Sequence, residues 1–146
     1  MKVFIVACAV FMMGFTCLVY ETDMGAYMYE QETLKMVTEE ASCRGALCLD
    51  GEAYSRGEIV FDRELADRCI EEYMDTIGGL FLNGSGYSRE YTVIYEDDMS
   101  GYAADNVEHC PSVTVEMSIT TDDFFRLPVL SADTITRRSK YELKGL

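Results

Sequence analysis

The sequence predicts an α+β fold. It has a long N-terminal helix, membrane-embedded and then amphipathic, a second helix, and a three- to four-stranded antiparallel sheet. Three observations carry this. An uncharged apolar run, Val3–Tyr20, opens the chain. An apolar stripe of helical period continues beyond it without a proline. From about residue 90 the period falls to two, the period of strands.

The run "VFIVACAVFMMGFTCLVY" has eighteen residues. As a helix it spans about 27 Å, close to the roughly 30 Å of a bilayer's hydrocarbon core. Its anchoring residues are Val3, Phe4, Val10, Phe11, Phe15, Leu18 and Tyr20. Secretory leaders have a shorter apolar core followed by small residues. This run ends Leu18-Val19-Tyr20 with no A-x-A pattern, and Thr16-Cys17 fits a lipoprotein site poorly. The expectation is an anchor over residues 1–20 that is retained, and one extracytoplasmic α+β domain over 21–146. Lys2 precedes the run, while Glu21 and Asp23 follow it. By the positive-inside rule the N-terminus is cytoplasmic and the domain lies outside, cut or uncut.

The next stretch repeats Tyr20, Met24, Tyr27, Leu34, Val37, Ala41 and Cys48 at steps of three, four or seven. Glu30, Glu32, Glu39 and Glu40 are expected mostly off that stripe, and Gly25 and Gly45 weaken the helix slightly. "DGEAYSRGE" reads as a loop closed by "IVFD". Asp62 is an N-cap for the second helix, "RELADRCIEEYMDTI", whose apolar face is Leu65, Cys69, Ile70, Tyr73 and Ile77, with Gly78-Gly79 ending it. "NGSG" is a turn, and Asn83-Gly84-Ser85 within it matches a glycosylation sequon. "EYTVIYEDD" is a first strand. "SVTVEMSITT", after Pro111, is a second, with Val113, Val115, Met117 and Ile119 on one face and Thr114, Glu116, Ser118 and Thr120 on the other. "DTITRRSKYEL" is a third, expected to be short or to hold a bulge. Three such strands suggest a meander, one face of which the amphipathic helix covers, with Leu34, Val37 and Ala41 meeting Val113, Val115 or Ile119.

Composition narrows the function. A chain of 146 residues with net charge −14 makes one domain with a modest core, and it argues against nucleic acid as a partner. Arg137, Arg138, Lys140 and Lys144 crowd the C-terminus, either as a strand pairing with acidic neighbours or as a docking surface. Of six cysteines, Cys8 and Cys17 lie in the apolar run. Cys43, Cys48, Cys69 and Cys110 permit up to two disulfides in three connectivities, or free thiols, and show no CxxC zinc spacing. His109, the one histidine, sits beside Cys110. Neighbours on a strand point to opposite faces, which spoils a nucleophile–base pair. Asp97, Asp98 and Asp105 lack the spacing of a calcium loop. No catalytic motif, metal site or cofactor is expected.

The order of elements resembles type IV pilins and pseudopilins. Two stretches, "YMYEQETLKMVTEEASCRGAL" and "PSVTVEMSITTDDFFRLPVL" continuing to "TITRRSKYEL", are similar to the post-membrane helix and C-terminal strands of TadE/TadG-like proteins of tight-adherence pilus systems. The resemblance covers most of the chain through loose motifs. It implies a pilin-like fold and a non-catalytic, membrane-anchored minor component or assembly factor, partnered by other pilus or secretion-machinery membrane proteins. One departure stands out. Processed pilins carry a cleavage-site glycine and a glutamate five residues into the mature helix, whereas this run offers only Gly14 and no acid. The alternative is a secreted or surface ligand-binding domain with a cleaved leader.

Overall fold

The computed structural model describes residues 1–77, 80–81, 88–104, 106, 108–122, 124–127 and 131–144. Helix α1 runs unbroken from Lys2 to Ala46, about 67 Å at 1.5 Å per residue. A short helix α2 (Gly51–Ser55) and a longer α3 (Arg63–Thr76) follow. Strands β1 (Ser88–Glu96), β2 (Ser112–Thr120) and β3 (Thr134–Glu142) form an antiparallel meander in the order β1-β2-β3. This is the α+β arrangement that the change of period implies. The sheet has three strands among the described residues; no fourth joins it there.

The two halves of α1 differ completely. From Met1 to Leu18 every residue is exposed, whereas packing begins at Val19 and Tyr20 and continues to Ala46. The packed half lies over β2, β3 and α3. Leu34, Val37 and Ala41 are fully buried there, in one core cluster with Val113, Val115, Met117, Ile119 and Ile135 of the sheet and Ile70 of α3. Alternation in β2 places Val113, Val115, Met117 and Ile119 on the helix side, as period two requires. Around β1, α3 completes the cover: the Tyr95 hydroxyl donates to Asp67 Oδ1 at 2.6 Å, and the Arg63 guanidinium stands 5.7 Å from the Tyr95 ring centre.

Gly45 makes this junction close. A Cβ there would lie 3.0 Å from Ile70 Cδ1 and 3.1 Å from Val113 Cγ1, so a bare backbone is what lets α1 approach both α3 and β2. The domain also grips α1 lower down. Buried Asp23 accepts from the Arg126 backbone N–H at 2.9 Å and pairs with its guanidinium at 3.5 Å, and Tyr27 packs edge-on against Phe124. The Tyr29 hydroxyl donates to the Leu80 carbonyl at 3.3 Å.

Several expectations need correction. Glu30 is fully buried on the packed stripe, not beside it, because it falls in the heptad-like series with Asp23, Leu34, Val37 and Ala41. Met24 is exposed, and Cys48 lies beyond the end of α1. The loop after α1 contains α2, which Asp50 caps by accepting from the Glu52 and Ala53 N–H groups. Asp62 does cap α3, accepting from Leu65 N–H at 3.0 Å. Leu65 itself is exposed, however, whereas Ile70 and Ile77 of the expected face are buried, together with Ala66 and Met74, which were not expected. In β3, Ile135 and Tyr141 lie six apart on the same face, and all nine residues pair in register with β2, so there is no bulge. Thr114, on the face expected to be solvated, is fully buried between its register partners Ile94 and Lys140. Gly78-Gly79, the Asn83-Gly84-Ser85 sequon and Asp105 lie outside the described residues.

Candidate functional site

The largest uncovered feature is the N-terminal half of α1. Val3, Phe4, Val10, Phe11, Phe15 and Leu18 each keep well over half of their surface exposed, with Val3 at 84%. They encircle the helix rather than forming one stripe, which is the pattern of a helix surrounded by apolar medium on all sides. Tyr20 is half-buried at the lower edge of the domain, and its hydroxyl is buried without a hydrogen-bond partner. The two threonine hydroxyls along this stretch bond back to the helix. Thr16 Oγ1 donates to the Met12 carbonyl at 2.8 Å and Thr22 Oγ1 to the Leu18 carbonyl at 2.9 Å. Such back-bonding removes the cost of placing a hydroxyl in hydrocarbon. The helix is long and apolar enough to cross a membrane.

Inside the domain, the charged groups suggested by sequence are committed to structure. Asp97 is fully buried. Its carboxylate accepts from the Phe61, Met99 and Ser100 N–H groups at 3.2, 3.1 and 2.6 Å. Burial alone would raise its pKa, but the hydrogen bonds from Ser100 and Phe61, with Arg63 nearby, hold it below the ordinary value. Asp98 accepts from the Tyr102 hydroxyl at 2.7 Å and the Ile59 N–H at 2.8 Å, and the Tyr102 bond leads in lowering its pKa. These two carboxylates therefore staple the turn after β1 to the segment before α3. Among the described residues, no group of three or more His, Cys, Asp or Glu side chains is placed to hold a metal ion.

At the far end of the sheet, buried Glu96 accepts from Asn106 Nδ2 at 2.6 Å and from Lys140 Nζ at 3.3 Å. Lys140 also reaches Glu142, which Lys144 pairs at 3.0 Å, and Arg137 donates to Gln31 Oε1 at 2.6 Å. The basic C-terminal cluster is thus largely spent on acidic and polar neighbours of its own chain. Arg138 remains exposed.

His109 lies in a loop rather than a strand, with φ of 50°, and stacks flat on the Tyr102 ring at 5.1 Å. The Cys110 thiol is directed to Glu108 Oε2 at 3.7 Å. Histidine and cysteine are therefore separately engaged. A shallow groove of about 340 Å³ runs between Met28, Gln31, Lys35 and Glu39 of α1 and Arg137–Ser139 of β3. Its lining of mixed charges does not converge on a reacting centre. No disulfide bridge joins any of the six cysteines in this structure. The Cys48 thiol is pushed up to about 11, first by burial and next by its contact with the Cys69 thiol. Sequence spacing did not single out that pair, because it depends on how α1 and α3 pack.

No protein-family model, no curated protein sequence and no solved structure matches this chain.

Proposed function

We propose that this chain is a single-pass, membrane-anchored, non-catalytic component of a pilus-type or related secretion assembly, a minor pilin-like protein or assembly factor akin to the TadE/TadG-like proteins it resembles. One observation carries the reading: an apolar half-helix, bare on all sides, is one unbroken rod with the half-helix that forms the domain's core. A bilayer, or the apolar helices of neighbouring membrane proteins, is the environment that such a surface needs. The orientation follows from Lys2 before the span and Glu21 and Asp23 after it, which keeps the N-terminus cytoplasmic and the domain outside. The partners are other pilus or secretion-machinery membrane proteins, met through the span. The net charge of −14 supports no role in binding nucleic acid.

The test combines intact mass with topology. The reading expects a full-length chain in the membrane fraction after carbonate washing, shaved from outside when protoplasts meet protease. Val10→Arg at the centre of the span costs about 2.5–3.5 kcal/mol on translocon scales and reduces membrane retention. Cysteine-directed crosslinking from Cys8 or Cys17 then captures a pilus or secretion-platform protein. A mature soluble chain beginning near Glu21 overturns the anchor. The structure gives that second reading, a secreted ligand-binding domain, one specific support: domain packing begins only at Val19–Tyr20, so the core survives loss of the leader.

A further inference from the structure

At the end of α1 farthest from the apolar half, the last turn of α1 runs beside α3. The Arg44 guanidinium lies 4.4 Å from the Tyr73 ring centre. Gly45 sits against Ile70, so the backbones are close at this point. Residue 48 comes four after Arg44, and residue 69 comes four before Tyr73. Leu47, just past the end of α1, keeps αR geometry, so the opposed directions of α1 and α3 carry Cys48 on along the same seam toward Cys69, one turn back on α3. The two thiols meet there.

Both residues are held in place. The Cys48 thiol donates to the Arg44 carbonyl at 3.5 Å, and the Cys48 carbonyl accepts from the Asp62 N–H at 2.9 Å. Cys69 is fixed by helix α3, is half-buried, and lines a surface hollow with Arg44, Glu72, Tyr73 and Thr76. One thiol is thus buried and the other can be reached from solvent. Cys110 is engaged elsewhere, with Glu108. Cys43 lies on α1 itself, five residues before Cys48.

We infer that Cys48 and Cys69 are joined by a disulfide in the mature protein, tying the end of α1 to α3. The inference rests on the reading that the domain lies outside the cell, where thiols are oxidised. The oxidant is a disulfide-bonded thiol oxidoreductase or a small-molecule disulfide. The Cys69 thiolate attacks it and forms a mixed disulfide, expelling one thiol. Cys48 then loses its proton and attacks the Cys69 sulfur, expelling the second thiol. Two protons and two electrons leave the protein, and the oxidant is reduced to two thiols. The bond closes a loop of about 20 residues. In the chain-entropy account, a loop of this size raises the melting temperature by about 10 °C.

Tryptic mapping without reduction tests this directly, since the four domain cysteines fall on separate peptides: Met36–Arg44, Gly45–Arg56, Cys69–Arg89 and Glu90–Arg126. Free thiols are first trapped in whole cells with N-ethylmaleimide. In parallel, the reduced full-length chain in detergent is incubated with oxidised glutathione. The expected product in both arms is Gly45–Arg56 linked to Cys69–Arg89, lost on reduction. The melting temperature of the wild type then falls with reductant, while that of Cys69→Ser does not respond. Linkage in the purified chain but N-ethylmaleimide on both cysteines in cells overturns the inference and points to the domain's location as the fault. Absence of the linked peptide in the glutathione arm overturns the contact itself, and protease shaving of protoplasts still reports the location independently. A dominant link from either cysteine to Cys43 or Cys110 also overturns it.

Discussion

Replacing Val37 by aspartate tests the packing of α1 on the sheet. Val37 is fully buried in the cluster that joins the helix to β2. Losing its apolar burial costs about 1.5–3 kcal/mol. The incoming carboxyl cannot stay ionised there, and a pKa raised by about 3 units costs about 4 kcal/mol more at neutral pH. The total, about 5–7 kcal/mol, rivals the roughly 5–15 kcal/mol that holds a typical domain folded. The assay is chemical denaturation of the full-length chain in detergent, followed by circular dichroism, with Met36→Asp as control. Met36 is the next residue on the same helix and is half exposed, so its substitution stays within about 1 kcal/mol. The expected result is collapse of Val37→Asp at pH 7 and partial recovery as the pH falls from the raised pKa toward the ordinary carboxylate value. A midpoint for Val37→Asp equal to that of Met36→Asp would refute the packing.

Gly45→Val is expected to cost about 1–3 kcal/mol through overpacking against Ile70 and Val113. Gly25→Val, where nothing lies within 4 Å of an added Cβ, is the control, and equal melting of the two variants would contradict the close approach. Asp97 and Asp98 have depressed pKa values, so their stabilisation is present above the ordinary value of 3.8 and is lost as pH falls through the lower folded values. Acid titration of stability should therefore steepen below about pH 4 in the wild type and flatten in Asp97→Asn; an unchanged slope would show the staple to be idle. His109→Ala removes an exposed ring stacked on Tyr102, so stability changes by less than about 1 kcal/mol and biological activity persists. Loss of activity in a normally folded variant would revive an enzymatic role.

The parts of this fold legible in sequence are those written in a single local period. The uncharged run could be recognised because no charge interrupts it. The helix-facing side of β2 could be recognised because Val113, Val115, Met117 and Ile119 alternate strictly. What sequence missed depends on contacts between distant segments. Glu30 occupies a stripe position, but a carboxylate there reads as solvated until the domain closes over it. Asp97 looked like part of a loose acidic loop, while its acceptor role involves Phe61, 36 positions away in the chain. Glu96 likewise finds Lys140 across 44 positions. The α2 turn escaped notice because five residues that begin with Gly51 and are soon followed by Gly57 carry too little pattern to separate a capped turn from a loop. The Cys48–Cys69 seam follows from the antiparallel placing of α1 and α3, which no spacing within either element records.

The continuity of α1 also has a mechanical consequence. A pull on its N-terminal end is not absorbed by a hinge, because no proline or break separates the bare half from the packed half. Tension travels along the rod into a joint that extends from Asp23 to Ala46, about 36 Å of overlap. Contacts spread along that overlap share the load in shear and must slip together, whereas a joint peeled from one end fails one contact at a time. The Asp23–Arg126 clasp meets the strain first, and Gly45 against Ile70 and Val113 stands at the far end. The domain is therefore fastened to its N-terminal segment like a blade on a full-length tang, and the rod withdraws only when the core itself gives way.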